Sequence, residues 1–197
     1  GKGFERAPDG QIIYENGFPV INPEKQNFGS IQPKWTGGAG LTVTLKGVTI
    51  STLFDMKWGG NVHSMTYSWG RYAGTLAESL AGRETGIVGD GVVNIGTDDE
   101  PEYVPNDIVV SAKAYNQNVY GNNTTENGVF DASYVKWRRL YVGYTLPAKA
   151  LKAIKLQEVS FGIVGSNLLM VYRKAPHIDP ETGFSDVNGE QGQEFGQ

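Results

Sequence analysis

The sequence predicts an all-β chain of antiparallel strands joined by long loops with minor loop helices, and three observations carry that prediction. Of 197 residues, 27 are glycine, 39% are hydrophobic and only 19% are charged, a balance that suits strands and turns better than a helical bundle. Four segments alternate apolar and polar residues, the period of a strand with two unlike faces. The connections between these segments are alternately short and very long.

Residues 1 to 34 carry turn signals at Pro8-Asp9-Gly10 and Glu15-Asn16-Gly17 around the apolar run Gln11-Ile12-Ile13-Tyr14, which predicts a small hairpin region. From Trp35, Leu41, Val43 and Leu45 alternate with Thr42, Thr44 and Lys46, and Lys46-Gly47 supplies a tight turn. In Val48 to Met56, Val48, Ile50, Thr52, Phe54 and Met56 share one face, and Thr49, Ser51, Leu53 and Asp55 the other. A third run sets Leu140, Val142, Tyr144 and Leu146 against Arg139, Tyr141, Gly143 and Thr145, and Pro147 ends it. Ala148 to Lys155 has a short helical composition. Val159, Phe161 and Ile163 then alternate with Ser160, Gly162 and Val164, with an apolar tail from Leu168 to Tyr172. Between the second and third strands, Trp58 to Phe130 reads as one long loop with a helical turn at Thr75 to Leu80, far longer than connections in compact soluble domains.

Tight turn, very long loop, short turn and long tail form the order expected of strands from a transmembrane β-barrel, which alternates short periplasmic turns with long extracellular loops. Nine residues from Val48 to Met56 rise about 30 Å, or about 23 Å of height when tilted by roughly 40°. That height matches the apolar band of such a barrel. No stretch approaches 18 consecutive apolar residues, so the chain carries no transmembrane helix. It begins at Gly1 without a basic and apolar leader, so no signal peptide is read. A net charge of -4 argues against nucleic acid as a partner. With no cysteine there is no disulfide or thiolate metal site.

Four blocks stand out: Gln32-Pro33-Lys34-Trp35-Thr36-Gly37-Gly38, Asp55-Met56-Lys57-Trp58-Gly59-Gly60, Phe130-Asp131-Ala132-Ser133-Tyr134-Val135-Lys136 with Gly143-Tyr144-Thr145-Leu146-Pro147, and Val164-Gly165-Ser166-Asn167-Leu168-Leu169 followed by Ala175-Pro176-His177-Ile178-Asp179-Pro180-Glu181. In this order they resemble the late barrel segments of SusC/RagA-family TonB-linked outer-membrane transporters. The resemblance implies an outer-membrane barrel of about 22 strands around a plug, energised through TonB and capped by a SusD-like lipoprotein, importing glycans or peptides. Residues 1–34 would then be a hairpin and loop region on the extracellular side. Residues 35–197 would be C-terminal barrel strands with long loops, in contact with outer-membrane lipid, the plug and final strand lying outside this sequence. A different class of function is a secreted, soluble β-domain that binds polysaccharide. Four such strands in isolation expose open edges and an apolar face, so the isolated fragment is expected to self-associate or to fold its long loop over that face.

The candidate ligand or partner site is the aromatic loop: Trp58, His63, Tyr67, Trp69, Arg71 and Tyr72 mix flat rings with hydrogen-bonding groups suited to stacking on a ligand, although rings of this kind also pack loops internally. No catalytic site, cofactor or metal is expected. His177, Asp179, Glu181 and Asp186 lack the spacing of a calcium loop, and Asp98-Asp99-Glu100 reads as an acidic surface loop rather than a glycosidase pair. Two histidines and no Gly-x-Ser-x-Gly elbow give a hydrolase no support. Gly86 to Gly96 lacks the Gly-Lys-Ser/Thr ending of a P-loop. Asn122-Asn123-Thr124-Thr125 holds glycosylation acceptor patterns that matter only where that machinery exists. Trp137, Arg138 and Arg139 fit an aromatic girdle at a membrane boundary.

Overall fold

The computed structural model describes residues 1–97, 99–121, 124–152, 155–181 and 193–194. Asp98, Asn122, Asn123 and Asp186, named above, lie outside the described residues. The chain divides into two compact units that interleave in sequence. One comprises Gln32–Gly60 and Asp131–Pro176; the other comprises Gly1–Ile31, Asn61–Phe130 and His177–Gln197. The first boundary falls after residue 31, and the first 31 residues join the 61–130 segment in one unit.

The first unit is a four-stranded antiparallel sheet of β1 (Trp35–Leu45), β2 (Val48–Trp58), β3 (Tyr134–Thr145) and β4 (Ser160–Arg173), in the order β4-β3-β2-β1. Lys46 and Gly47 join β1 to β2 with φ of 49° and 87°, the two positive values of a type I′ hairpin turn. Gly47 is required twice over, because a Cβ there would sit 2.7 Å from the Thr145 carbonyl oxygen. The register aligns like with like across all four strands. Val43, Ile50, Val142 and Ile163 form one rung; the next, Thr42, Ser51, Tyr141 and Val164, points to the opposite face. The sheet therefore has one apolar and one mainly polar face.

One irregularity keeps this alternation in phase. Pairing shifts between Trp137 and Arg139 on both sides of β3: against β2, where Phe54 and Leu53 are the partners, Arg138 is an extra residue, as in a β-bulge, and against β4, where Leu169 and Ser166 are the partners, the extra residue lies on β4. Arg138 pairs with the Asp55 carboxylate and donates to Asn167 Oδ1 at 2.8 Å. The one polar group on the apolar face of β2, Thr52, has its hydroxyl occupied: it accepts from Trp137 Nε1 at 2.7 Å and donates to the Arg139 carbonyl at 3.3 Å. Rings mark both ends of this face. Trp58 stacks on Tyr172 and Phe54 on Trp137 at one end; Tyr144 meets Phe161 edge-on at the other. Between them the face is exposed, with Ile163 at 81% and Leu41 at 64% accessibility.

Two strands run longer than their patterns suggest. β2 continues to Trp58, which is thus a strand residue and not part of the loop. The apolar tail of β4 is continuous with its alternating part up to Arg173. A short helix at Ala148–Leu151 falls within the stretch of helical composition.

The second unit is built from short pieces. Tyr14–Glu15 and Phe18–Pro19 form the hairpin around Asn16-Gly17. Two-stranded ladders pair Lys2–Phe4 with Ile21–Lys25, Val92–Asn94 with Tyr103–Pro105, and Ile87–Val88 with Val109–Val110. Two helices stand among them, α1 (Met65–Ala73) and α2 (Ala112–Gly121). α1 starts where Ser64 Oγ accepts from Tyr67 N at 3.0 Å. A 3₁₀ turn at Ala77–Leu80 occupies the expected Thr75 to Leu80 position. Phe4, Tyr14, Val62, Val92, Ala112 and Val119 are buried and form much of a small core.

Candidate ligand site

Helix α1 brings most of the predicted site residues together, but sorts them by side. His63, just before α1, and Trp69 and Tyr72 on it line a cavity of about 890 Å³ within the second unit. Trp69 is 68% exposed and Tyr72 47%, which leaves both rings free to meet a ligand. Phe28, Ile31 and Tyr120 add to the apolar lining, together with Val62, Met65 and Val129. The segment bearing Phe28 is fixed by Asn61, whose side chain donates to the Phe28 carbonyl at 2.5 Å and whose backbone N–H donates to Ser30 O at 2.8 Å. Opposite, Tyr72 lies against α2 at Gly121, where a Cβ would come within 2.6 Å of the ring. Only glycine permits that approach.

The cavity carries little formal charge. No acidic, lysine or arginine side chain lines it. Burial pushes the His63 imidazole below its ordinary value, which favours its neutral form. Its Nε2 is buried without a hydrogen-bond partner among the described residues. Volume and lining suit an uncharged, partly apolar group of small-molecule size.

Tyr67 and Arg71 face elsewhere. Tyr67 sits in a ring cluster, edge-on to Phe130 at 4.9 Å and to Tyr120 at 6.0 Å, and stacked on His177 at 6.1 Å. The internal packing weighed for these rings holds for Tyr67. Arg71 donates to Asn116 Oδ1 at 3.0 Å and to the Tyr67 hydroxyl at 3.4 Å, with its guanidinium 4.8 Å from the centre of the Tyr120 ring. Burial raises the Tyr120 phenol to about 12 despite the opposing charge of Arg71. His177 donates to the Glu78 carboxylate at 2.6 Å, which holds that carboxyl below its usual value. Trp58 belongs to the sheet unit, stacked on Tyr172 with the Lys174 ammonium 5.7 Å from its ring centre. Among the described residues no group of three His, Asp or Glu side chains is placed to hold a metal. Asp179 Oδ1 instead accepts from Glu181 N within its own turn.

Three comparisons bear on identity. No family model matches the sequence. A TonB-dependent receptor P3 of Formosa agariphila is 36% identical over 67 residues, which cover 34% of this chain and 7% of the receptor. The solved structure of the RagAB peptide importer in its closed-closed state superposes with a TM-score of 0.56 at 18% identity, over 96% of this chain and 19% of the importer chain. In fold, the chain is similar to part of the RagAB importer chain. The chain thus spans a small part of the length of either protein. Its all-β, antiparallel reading holds.

Sequence reasoning missed Phe28, Ile31 and Tyr120. Phe28 and Ile31 stand in a turn-rich stretch without periodicity, and Tyr120 closes a helix that was read as loop. One signal was available: Ala112-Lys113-Ala114-Tyr115-Asn116-Gln117 has no glycine or proline and contains good helix formers.

Proposed function

We propose that this chain is part of a TonB-dependent outer-membrane importer, its four-stranded sheet forming a stretch of barrel wall and its second unit the water-exposed loops on the extracellular side. The observation that carries this reading is the apolar face of the sheet, bounded at both ends by rings and backed by a polar face. From Val48 to Trp58, ten steps at about 3.3 Å and a tilt of roughly 40° give about 25 Å of height, the thickness of the outward apolar band of such barrels. A soluble polysaccharide-binding domain has no use for an exposed face of this size. In this reading the parent works with a SusD-like lipoprotein and with TonB, and the cavity between α1 and the Phe28 segment receives an uncharged part of a glycan or peptide.

The test is fractionation of cells making the full-length parent, followed by electrophoresis of the outer-membrane fraction with and without boiling. Heat-modifiable migration in that fraction, with a SusD-like lipoprotein co-purifying, is the expected result. Recovery as a soluble secreted protein would sink the proposal.

A further inference from the structure

A second, smaller cleft lies on the other side of α1, about 420 Å³ in volume and lined among others by Arg71, Arg83, Lys113, Ser79, Ser111 and Asn116. Three cationic side chains converge on it, and no carboxylate stands among its lining residues. None of the three forms a salt bridge among the described residues. Arg83 spends its donors on neutral oxygens, Gly74 O at 2.7 Å and Ser79 O at 3.2 Å, which aims the guanidinium without cancelling its charge. Arg71 is held by Asn116 and Tyr67, again neutral partners. Glu78, the carboxylate whose acidity Arg71 enhances, is bonded to His177. Lys113 is exposed and has no ion pair among the described residues. The ten-residue helix α2 begins at this cleft: Ser111 Oγ accepts from Ala114 N at 3.2 Å, and the positive end of the helix dipole adds to the same field.

We propose that this cleft binds an anionic group, a sulfate ester or a carboxylate, carried by a ligand whose uncharged part occupies the larger cavity. Tyr72 and Ala73 line both spaces, so one molecule can span them around the end of α1. The inference rests on the ligand-binding reading of the larger cavity for its second half, while the anion cleft stands on its own residues. Paired, oriented guanidinium donors and a nearby ammonium are the groups that recognise oxyanions.

The experiment is calorimetric titration of the full-length parent in detergent with three probes that share a ring: p-cresol, p-cresyl sulfate and 4-methylbenzoate. Both anions are expected to bind at least tenfold tighter than p-cresol in dilute buffer, with the advantage shrinking in 0.5 M salt as screening shortens the reach of the charges (about 10 Å at 0.1 M, about 3 Å at 1 M). The double variant R83Q/K113Q, shown to migrate as a folded barrel, is expected to bind all three as weakly as p-cresol. The single variant K113Q, on an exposed side chain without partners, should lose at least threefold for the anions alone and covers the case in which the double variant misfolds. A preference for sulfate over benzoate assigns a sulfate ester, and the reverse a carboxylate. Equal binding of p-cresol and both anions, or a preference that survives R83Q/K113Q, overturns the proposal. If Trp69→Ala leaves every affinity unchanged while R83Q/K113Q still abolishes the preference, the larger cavity fails and the anion cleft stands.

Discussion

The sheet and the second unit are held together in opposite ways. In the sheet, β1 and β2 stay in register through eleven rungs, Trp35 against Trp58 to Leu45 against Val48, and the apolar face is left exposed or half-buried. Among the described residues of the second unit no strand exceeds five residues, and side-chain bonds reach across the sequence. Phe4 N donates to Glu126 Oε2 at 2.9 Å, and the Tyr14 and Tyr115 hydroxyls lie 3.0 Å apart. The sheet draws its order from a repeated local pattern completed by its surroundings. The second unit buries a core of its own and shapes two cavities in the process.

The strongest way to break this comparison is to charge the sheet's faces in turn. Ile50→Arg on the apolar face should cost about 2–4 kcal/mol in a bilayer, whereas Ser51→Arg on the polar face should cost almost nothing. Urea titration of the parent refolded into lipid vesicles, read by heat-modifiable migration, measures both. Equal costs would mean that the apolar face does not meet lipid. Next in size is Gly121→Ala, whose Cβ would lie 2.6 Å from the Tyr72 ring and should cost the second unit about 1–3 kcal/mol by overpacking. Limited proteolysis within residues 61–130 should accelerate while the barrel still migrates as folded.

A pH series sharpens the contrast further. Burial depresses the His63 value, so the unfolded chain binds a proton before the folded one does as pH falls. The second unit keeps its full stability above about pH 6.5 and loses part of it as pH drops below that, until the folded imidazole protonates as well. Hydrogen exchange of residues 61–73 should therefore speed up between pH 7.5 and 5.5, beyond its intrinsic pH dependence, and His63→Leu should remove the excess. The smallest effect is expected from Glu126→Gln. Its ion pair with Arg6 is partly exposed and should contribute no more than about 1 kcal/mol, visible as faster exchange at Phe4 alone.

Much of the sheet was legible because each rung repeats the same rule. Leu41 to Leu45, Val48 to Met56 and Leu140 to Tyr144 alternate cleanly, and Lys46-Gly47 announces its turn. What blurred was where strands stop: Lys57 and Trp58 precede two glycines and read as loop, yet both pair with β1. The site was legible only in part. His63, Trp69 and Tyr72 do line one cavity, but Tyr67, Arg71 and Trp58, read with them as one cluster, serve a ring packing, a second cleft and the sheet. Spacing along a segment taken for loop gives no face, and a helix of Met65-Thr66-Tyr67-Ser68-Trp69-Gly70 holds a glycine and aromatics that weaken its helical signal.

The sequence by itself therefore determined the all-β class, the strand faces, the β1–β2 hairpin and the resemblance to a barrel transporter. A period of two is a local property, and four such segments have few ways to pair. Only the tertiary structure decided which side of α1 each side chain serves and that Phe28, from before the sheet, lines one cavity with Tyr120, from the long segment between β2 and β3. Such contacts depend on closing long, aperiodic loops, and they form only when packing of the whole unit offsets the entropy of that closure.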